Sequence, residues 1–326
     1  MNSFGRKFCV QIFGESHGSS VGIVVDGCPP GIPLAAADFT ADLERRKAGA
    51  AGTTPRKEDD LPQLISGCFN GYTTGAPVTV LFANNNTRSA DYTDIKDTPR
   101  PGHADFVLAK KFKGYNDYRG GGHSSGRLTV ALVAAGVIAK KILQQQAVHI
   151  EAWLAEAGGS SNIEEAIAAA IADQDSIGGI VSCKINGLPA GLGSPFFDSA
   201  ESVLSHILFA IPAVKGVSFG SGFEAAAMKG STHNDAITDS AGTTATNYAG
   251  GINGGITNGN ELYFRIAVKP TSSTPKEQYT WNSKTDQVQP FTVKGRHDLC
   301  VALRVPVVAE AAAAIALADL LLLEQA

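Results

Sequence analysis

Two segments of this chain are apolar on every face. Residues 128–143 read Leu-Thr-Val-Ala-Leu-Val-Ala-Ala-Gly-Val-Ile-Ala-Lys-Lys-Ile-Leu, with lysines only near the end, and residues 307–324 are again largely apolar. At helical period neither segment leaves a polar stripe for water, so each reads as a buried helix. A fold that hides two such helices must cover them on both sides, and strands are what the rest of the chain offers. Residues 8–13, 22–26, 64–69, 78–82, 180–185, 217–219 and 262–268 read as strands. They do not alternate strictly with helices. The expectation is therefore α+β, with helices sandwiched between sheets.

Two further helices are predicted. Residues 38–47 carry acids early and Arg45, Arg46 and Lys47 at the end, as the helix dipole favours. Residues 163–174 are alanine-rich. Residues 48–62 form a polar loop. Residues 88–117 read as long and mostly irregular, which inside a compact domain is often functional.

With 326 residues, 44% of them apolar and 18% charged, the chain has ample core for one large domain over residues 1–326 or two intimate ones. A faint echo points to two pseudo-repeated halves. Gly71-Tyr-Thr-Thr-Gly75 and Gly255-Ile-Thr-Asn-Gly259 each precede a strand, then a Gly/His/Asp cluster, then a buried helix.

A net charge of −4 argues against general nucleic-acid or membrane-surface binding. The five cysteines are scattered, odd in number and without a CxxC pair. They suit buried thiols in a reducing cytoplasm. The N-terminal residues do not read as a signal peptide. The uncharged stretch 128–139 is too short to span a bilayer. A soluble cytoplasmic protein is expected.

Several short motifs carry candidate chemistry. Gly14-Glu-Ser-His-Gly18 fits the G-x-S-x-G pattern of a serine nucleophile, but that elbow needs a helix after it, and a strand follows here. A histidine in a glycine-flanked turn can still serve as acid or base near neutral pH. Arg100-Pro-Gly-His-Ala-Asp105 gathers a cation, a histidine and a carboxylate in six residues. Arg119-Gly-Gly-Gly-His-Ser-Ser-Gly-Arg127 stands just before a helix. Free N–H groups there favour an anion, and the arginines suit phosphate or carboxylate. Capping by Ser124 or Ser125 would need neither three glycines nor two arginines, so ligand binding is the preferred reading. Gly250-Gly-Ile-Asn-Gly-Gly-Ile-Thr-Asn-Gly259, Lys269-Pro-Thr-Ser-Ser273 and Gly295-Arg-His-Asp298 complete the set. The seven histidines show no metal-ligand spacing, and no metal is expected.

In this order the six motifs resemble the chorismate synthase family, from residue 14 to residue 298. The resemblance implies a four-layer β-α-α-β sandwich, assembled as a homotetramer. It implies a lyase of the shikimate pathway and aromatic amino acid biosynthesis. The substrate would be 5-enolpyruvylshikimate 3-phosphate, losing phosphate by 1,4-anti-elimination to give chorismate, with non-covalent reduced FMN as cofactor. The matching positions imply His17, His103 and Asp298 as catalytic residues. They imply Ser16, Arg46, Arg100, Arg127 and Arg296 as substrate ligands. They imply His123, Ser124, Ser125, Ala213, Gly254, Lys269, Pro270, Thr271, Ser272, Ser273 and Arg296 at FMN. No pyridine-nucleotide motif is visible, so an external flavin reductase is expected rather than use of NADPH by this chain.

Three departures stand out. His123 replaces a common arginine, and Pro212 replaces an asparagine of some members. The loop after Arg46 lacks the family's arginine, for which Arg56 is the nearest substitute. The rival readings are a non-catalytic FMN- or phosphate-binding module and a serine hydrolase built on Ser16.

Overall fold

Both apolar segments fold as helices, and they pack on each other in the middle of the molecule. The computed structural model describes residues 2–54, 58–87, 92, 94–293 and 297–325. In chain order, β1 is Ser3–Phe4, β2 Cys9–Gly14 and β3 Ser20–Asp26, followed by helix α1, Thr40–Arg46. Strands β4 (Gln63–Ser66), β5 (Cys68–Phe69), β6 (Tyr72–Thr73) and β7 (Val78–Ala83) precede helices α2 (Asp105–Lys111) and α3 (Thr129–Gln144). The second half runs β8 (His149–Ala157), α4 (Ile163–Asp173), β9 (Gly179–Asn186), α5 (Ala200–Leu208) and β10 (Val214–Phe219). It continues with α6 (Gly230–His233), β11 (Ile252–Asn253), β12 (Ile256–Thr257) and β13 (Leu262–Val268). The hairpin β14 (Gln278–Asn282) and β15 (Gln287–Phe291) leads to α7 (Val305–Glu324).

Two sheets cover the helices. One has the order β1-β2-β3-β7-β4 and the other β10-β13-β9-β8, with the named strand pairs antiparallel. Helix α3 packs on β3 and on α7, and α7 packs on β8 and β9. The result is the expected four-layer β-α-α-β sandwich. The central helices approach closely because Gly136 of α3 faces Ala311 of α7, and a Cβ at Gly136 would overlap it.

The two halves share a topology. Each runs strand, strand, helix, strand, strand, long helix: β2, β3, α1, β4, β7, α3 and then β8, β9, α5, β10, β13, α7. In both, the strand order is first, second, fourth, third. The echo around Thr73 and Thr257 is also atomic. Thr73 Oγ1 donates to Pro29 O at 2.7 Å and accepts from Ile32 N at 2.9 Å. Thr257 Oγ1 donates to Pro189 O at 2.7 Å and accepts from Leu192 N at 2.9 Å.

Some elements depart from the sequence reading. The described part of residues 88–117 is mostly irregular, as expected, but it includes a helix the sequence reading lacks: α2 starts at Asp105, with its acid in the first turn and Lys110 and Lys111 in the last. Helix α1 begins at Thr40, after a 3-10 turn at Ala36–Phe39. Helix α7 begins at Val305, with proline in its first turn. Strand β8, helix α5 and the β14–β15 hairpin were not predicted. His-Ile-Glu-Ala-Trp-Leu-Ala-Glu-Ala is rich in helix formers. Pairing along β9 from His149↔Asn186 to Ala157↔Gly179 overrides that preference.

Residues 301–324 are long and apolar enough to cross a membrane by length and composition, but 89% of the most apolar window lies buried in the core. The same helix carries two buried acids, which must be partnered there. Glu310 accepts from both terminal nitrogens of Arg45 (2.8 and 2.6 Å), from Lys140 Nζ (2.7 Å) and from Ala152 N (3.0 Å). Asp319 accepts from the backbone N–H groups of Arg6, Lys7 and Phe8 at 2.9, 2.7 and 2.9 Å.

Candidate active site

Four of the six motifs converge on one cavity of about 530 Å³. Arg100, Gly102 and His103 line one wall, Gly120 and Ser124 to Arg127 another, and Lys269 to Ser273 a third. His297, Asp298 and Arg304 close one end, with Arg46, Thr54 and Asp60 beside them. The volume and the few convergent polar groups are those of a small-molecule site.

Arg100-Pro-Gly-His-Ala-Asp105 is a self-contained device. Asp105 opens α2 and is buried. It accepts from Arg100 Nε at 2.8 Å and Arg100 Nη2 at 2.9 Å. His103 Nδ1 lies 2.7 Å from Asp105 Oδ1 and 3.1 Å from Arg100 Nη2. An ionised carboxylate only accepts, so at 2.7 Å the ring's Nδ1–H points to Asp105, and Arg100 Nη2, which only donates, makes no hydrogen bond to that nitrogen. The carboxylate thus sets the tautomer and leaves Nε2 for the site. Arg100 Nη1 also donates to Ser273 Oγ at 3.1 Å, tying this motif to the third wall. Burial alone would raise the Asp105 pKa, but bonds from Arg100 and His103 hold it well below the usual carboxylate range.

The glycines of Arg119 to Arg127 make a close cradle. Gly120, Gly121 and Gly122 have φ of 58°, 83° and 55°, the left-handed region that favours glycine. A Cβ at Gly120 would sit 2.6 Å from His17 Cδ2 and 2.8 Å from Ser16 Oγ. Ser16 and His17 therefore lie behind this cradle rather than on the cavity wall. Their turn links antiparallel β2 and β3, and Ser16 is fully buried, so a nucleophile elbow is excluded. The His17 ring packs edge-on to Tyr92 at 5.0 Å.

The motif leads into α3 through a 3-10 turn, Gly126–Leu128, whose first two residues are the motif's own last two. Ser125 Oγ accepts from Arg127 N at 3.3 Å, so Ser125 does cap as well as line the cavity. His123 Nδ1 donates to Gly14 O at 2.7 Å. It lines a neighbouring cavity of about 440 Å³ that shares Ser124, Ser125, Pro212 and Ala213 with the first.

Nearly every described cation of the main cavity has a resident carboxylate. Asp60 bridges Arg46, at 2.7 Å, and Arg127. Asp298 accepts from Thr54 N at 2.9 Å and Arg304 Nη1 at 3.1 Å, while Arg304 Nε donates to Arg46 O at 2.9 Å. Lys269 differs. Its Nζ reaches Ser272 Oγ at 2.6 Å and Gly102 O at 3.3 Å, with no carboxylate partner among the described residues. Burial, then Lys215, pushes its pKa down. Burial likewise pushes Arg46 down to about 10, against the pull of Asp60. Thr271 Oγ1 is buried with no hydrogen-bond partner among the described residues, as is Arg46 Nε.

Gly254 is not brought in. It sits in the two-residue turn between β11 and β12 and lines neither cavity. Arg296 and Arg56 lie outside the described residues. Asp60 and Arg304 were missed by sequence reasoning. Asp60 follows Glu58 and Asp59, and an acidic run in a polar loop reads as solvated. Arg304 left a usable signal, since a cation at a helix start opposes the dipole and needs a partner.

Acid should expose these pairs. Asp60, Asp105 and Glu310 are each buried, yet held below their ordinary pKa by the arginine or lysine beside them. A carboxylate depressed in the fold adds stability above its unfolded pKa and loses it as pH falls. Urea midpoints should hold above about pH 5 and fall steadily below about pH 4. A midpoint unchanged down to about pH 2.5 would contradict these pairings.

A protein-family profile described as chorismate synthase matches residues 8–322. A chorismate synthase from Chitinophaga pinensis is 66% identical over 325 residues, covering 100% of this chain and 98% of that protein. One from Lachnoclostridium phytofermentans is 43% identical over 350 residues, covering 98% of this chain and 95% of its own. A solved structure, a crystal structure of chorismate synthase, superposes with a TM-score of 0.75 at 24% identity. It covers 98% of this chain and 93% of the other, and at that identity it speaks for the fold alone.

Proposed function

The chain belongs to the chorismate synthase family, and we propose that its main cavity holds 5-enolpyruvylshikimate 3-phosphate beside reduced FMN. The reaction is that of a lyase in the shikimate pathway, removing phosphate and a ring hydrogen to give chorismate. The observation that carries the location is the convergence of four motifs on one cation-rich cavity in a chain of net charge −4.

The residues present suit a flavin mononucleotide. Among the described residues Lys269 lacks a carboxylate partner and Thr271 Oγ1 lacks a hydrogen-bond partner, and Ser124, Ser125, Pro212 and Ala213 join the polar cavity to its neighbour. Lys269 to Ser273, Ser124, Ser125, Ala213 and His123 would hold the cofactor. When bound and reduced, FMN would supply transient one-electron chemistry with no net redox change. The substrate brings a phosphate and two carboxylates. Arg46, Arg100 and Arg127 meet them with donors left over from their resident carboxylates. His103 carries a proton at Nε2 when charged, and Asp105 keeps the ring turned so that this atom faces the site. Asp298, fixed by Arg304 and Thr54 N, is the second acid–base group at the cavity, and His17, which lies behind Gly120, joins the set on the family likeness alone. Ser16 and Arg296 belong to the substrate set on the family likeness. On the same footing the protein is cytoplasmic and homotetrameric, a single domain of two like halves. Its flavin is reduced by an external reductase rather than by NADPH on this chain.

Binding can be tested without turnover. FMN absorbance should shift on titration with the protein, and Lys269→Ala should weaken that binding about tenfold. Unchanged affinity in Lys269→Ala would remove this lysine from the cofactor site.

A further inference from the structure

Asp60 has the most enclosed side chain of the cavity's described ion pairs. It is 1% exposed, against 3% for Arg46 and 4% for Arg127. The arginines come from separate elements, the end of α1 and the turn before α3. Asp60 divides its oxygens between them: Oδ2 accepts from Arg46 Nη2 at 2.7 Å, and Oδ1 accepts from Arg127 Nη1. Its backbone has φ of 50°, a left-handed conformation that aspartate tolerates better than most residues. The remaining bonds of the pair are to neutral acceptors. Arg46 reaches Thr129 Oγ1 at 3.2 Å, and Arg127 Nε reaches Asn84 Oδ1 at 3.0 Å. Arg46 Nε has no hydrogen-bond partner among the described residues.

Two buried guanidinium groups sharing one acceptor repel each other and demand an anion. Stripped of Asp60, they would form a doubly charged socket of spare donors, which is the chemistry that binds phosphate. The reaction releases phosphate. We propose that Asp60 is a resident counterion, a positioning residue that keeps the Arg46–Arg127 pair from retaining inorganic phosphate. The pair then presents one net charge instead of two. It can orient the phosphorylated substrate, which binds through other contacts as well, without trapping the free product. This inference rests on the cavity being where phosphate is released.

Calorimetric titration with inorganic phosphate tests it, in a buffer without other oxyanions. Asp60→Asn keeps the shape and the left-handed backbone but removes the charge. It should bind phosphate about tenfold tighter than the parent chain, or more. Phosphate should also compete with substrate at correspondingly lower concentration. A folded Asp60→Asn that binds phosphate no more tightly overturns the proposal. Should that variant not fold, Asp60→Asn combined with Arg46→Gln restores the parent's net charge with one arginine. The double variant should bind phosphate within about threefold of the parent, and a tenfold difference would overturn the counterion role. Because phosphate binding is read without turnover, failure of the chorismate assay would leave this result standing as a separate fact.

Discussion

Replacing His103 by alanine is expected to lower kcat by about 10²–10⁴, the usual contribution of a positioned acid or base. The loss should fall on kcat and leave KM within about threefold, because the substrate's charges are met by arginines and not by this ring. The expectation follows from geometry. Asp105 Oδ1 holds Nδ1 at 2.7 Å, while Arg100, bonded to the same carboxylate, keeps Asp105 ionised. Nε2 is left at the cavity, where a Cβ on Gly121 would come within 3.6 Å of it. The check is steady-state kinetics under anaerobic conditions with saturating reduced flavin. Turnover within threefold of the parent would take His103 out of the chemistry and leave it as a spacer in the loop.

The largest effect on stability is expected far from the cavity. Asp319→Ala removes the acceptor for three consecutive backbone N–H groups, of Arg6, Lys7 and Phe8. Asp319 and Phe8 are enclosed, at 2% and 0% exposed, so water cannot readily replace the carboxylate there, while Arg6 and Lys7 lie at the exposed edge. An unsatisfied buried donor costs about 1–3 kcal/mol, so with one buried and two partly buried donors a loss of about 2–3 kcal/mol is predicted. Urea unfolding would measure it. Asp319→Asn, which keeps a carbonyl oxygen, should recover part of the loss. The turnover of the folded fraction should not change, since Asp319 touches none of the site. A loss under about 0.5 kcal/mol would mean that the N-terminal segment is held by its strand pairing instead.

The legible part of the fold was the part with strong periodicity. The all-apolar segments read as buried helices because no face of α3 or α7 offers water a stripe, and the alternating run of β13 read as a strand. What could not be read was set by distant partners. His149–Ala157 looks helical until β9 lies beside it. Asp319 and Glu310 look like breaks in an apolar helix until the chain near Phe8 and the Arg45–Lys140 pair arrive to satisfy them. The cavity shows the same division. Arg100, His103 and Asp105 are close in sequence, so their cluster was visible. Asp60 meets Arg127 across 67 positions, and no local pattern signals such a meeting. Gly120 was legible as a special backbone position, but not as the floor over His17 and Ser16, which depends on the β2–β3 turn folding beneath it.

The most direct test mixes the purified protein with 5-enolpyruvylshikimate 3-phosphate and chemically reduced FMN without oxygen, and follows the diene absorbance of chorismate. Chorismate should appear with reduced FMN and be absent with oxidised FMN or none. Chorismate formed without any flavin, or a flavin-loaded protein that never forms it, would contradict the account.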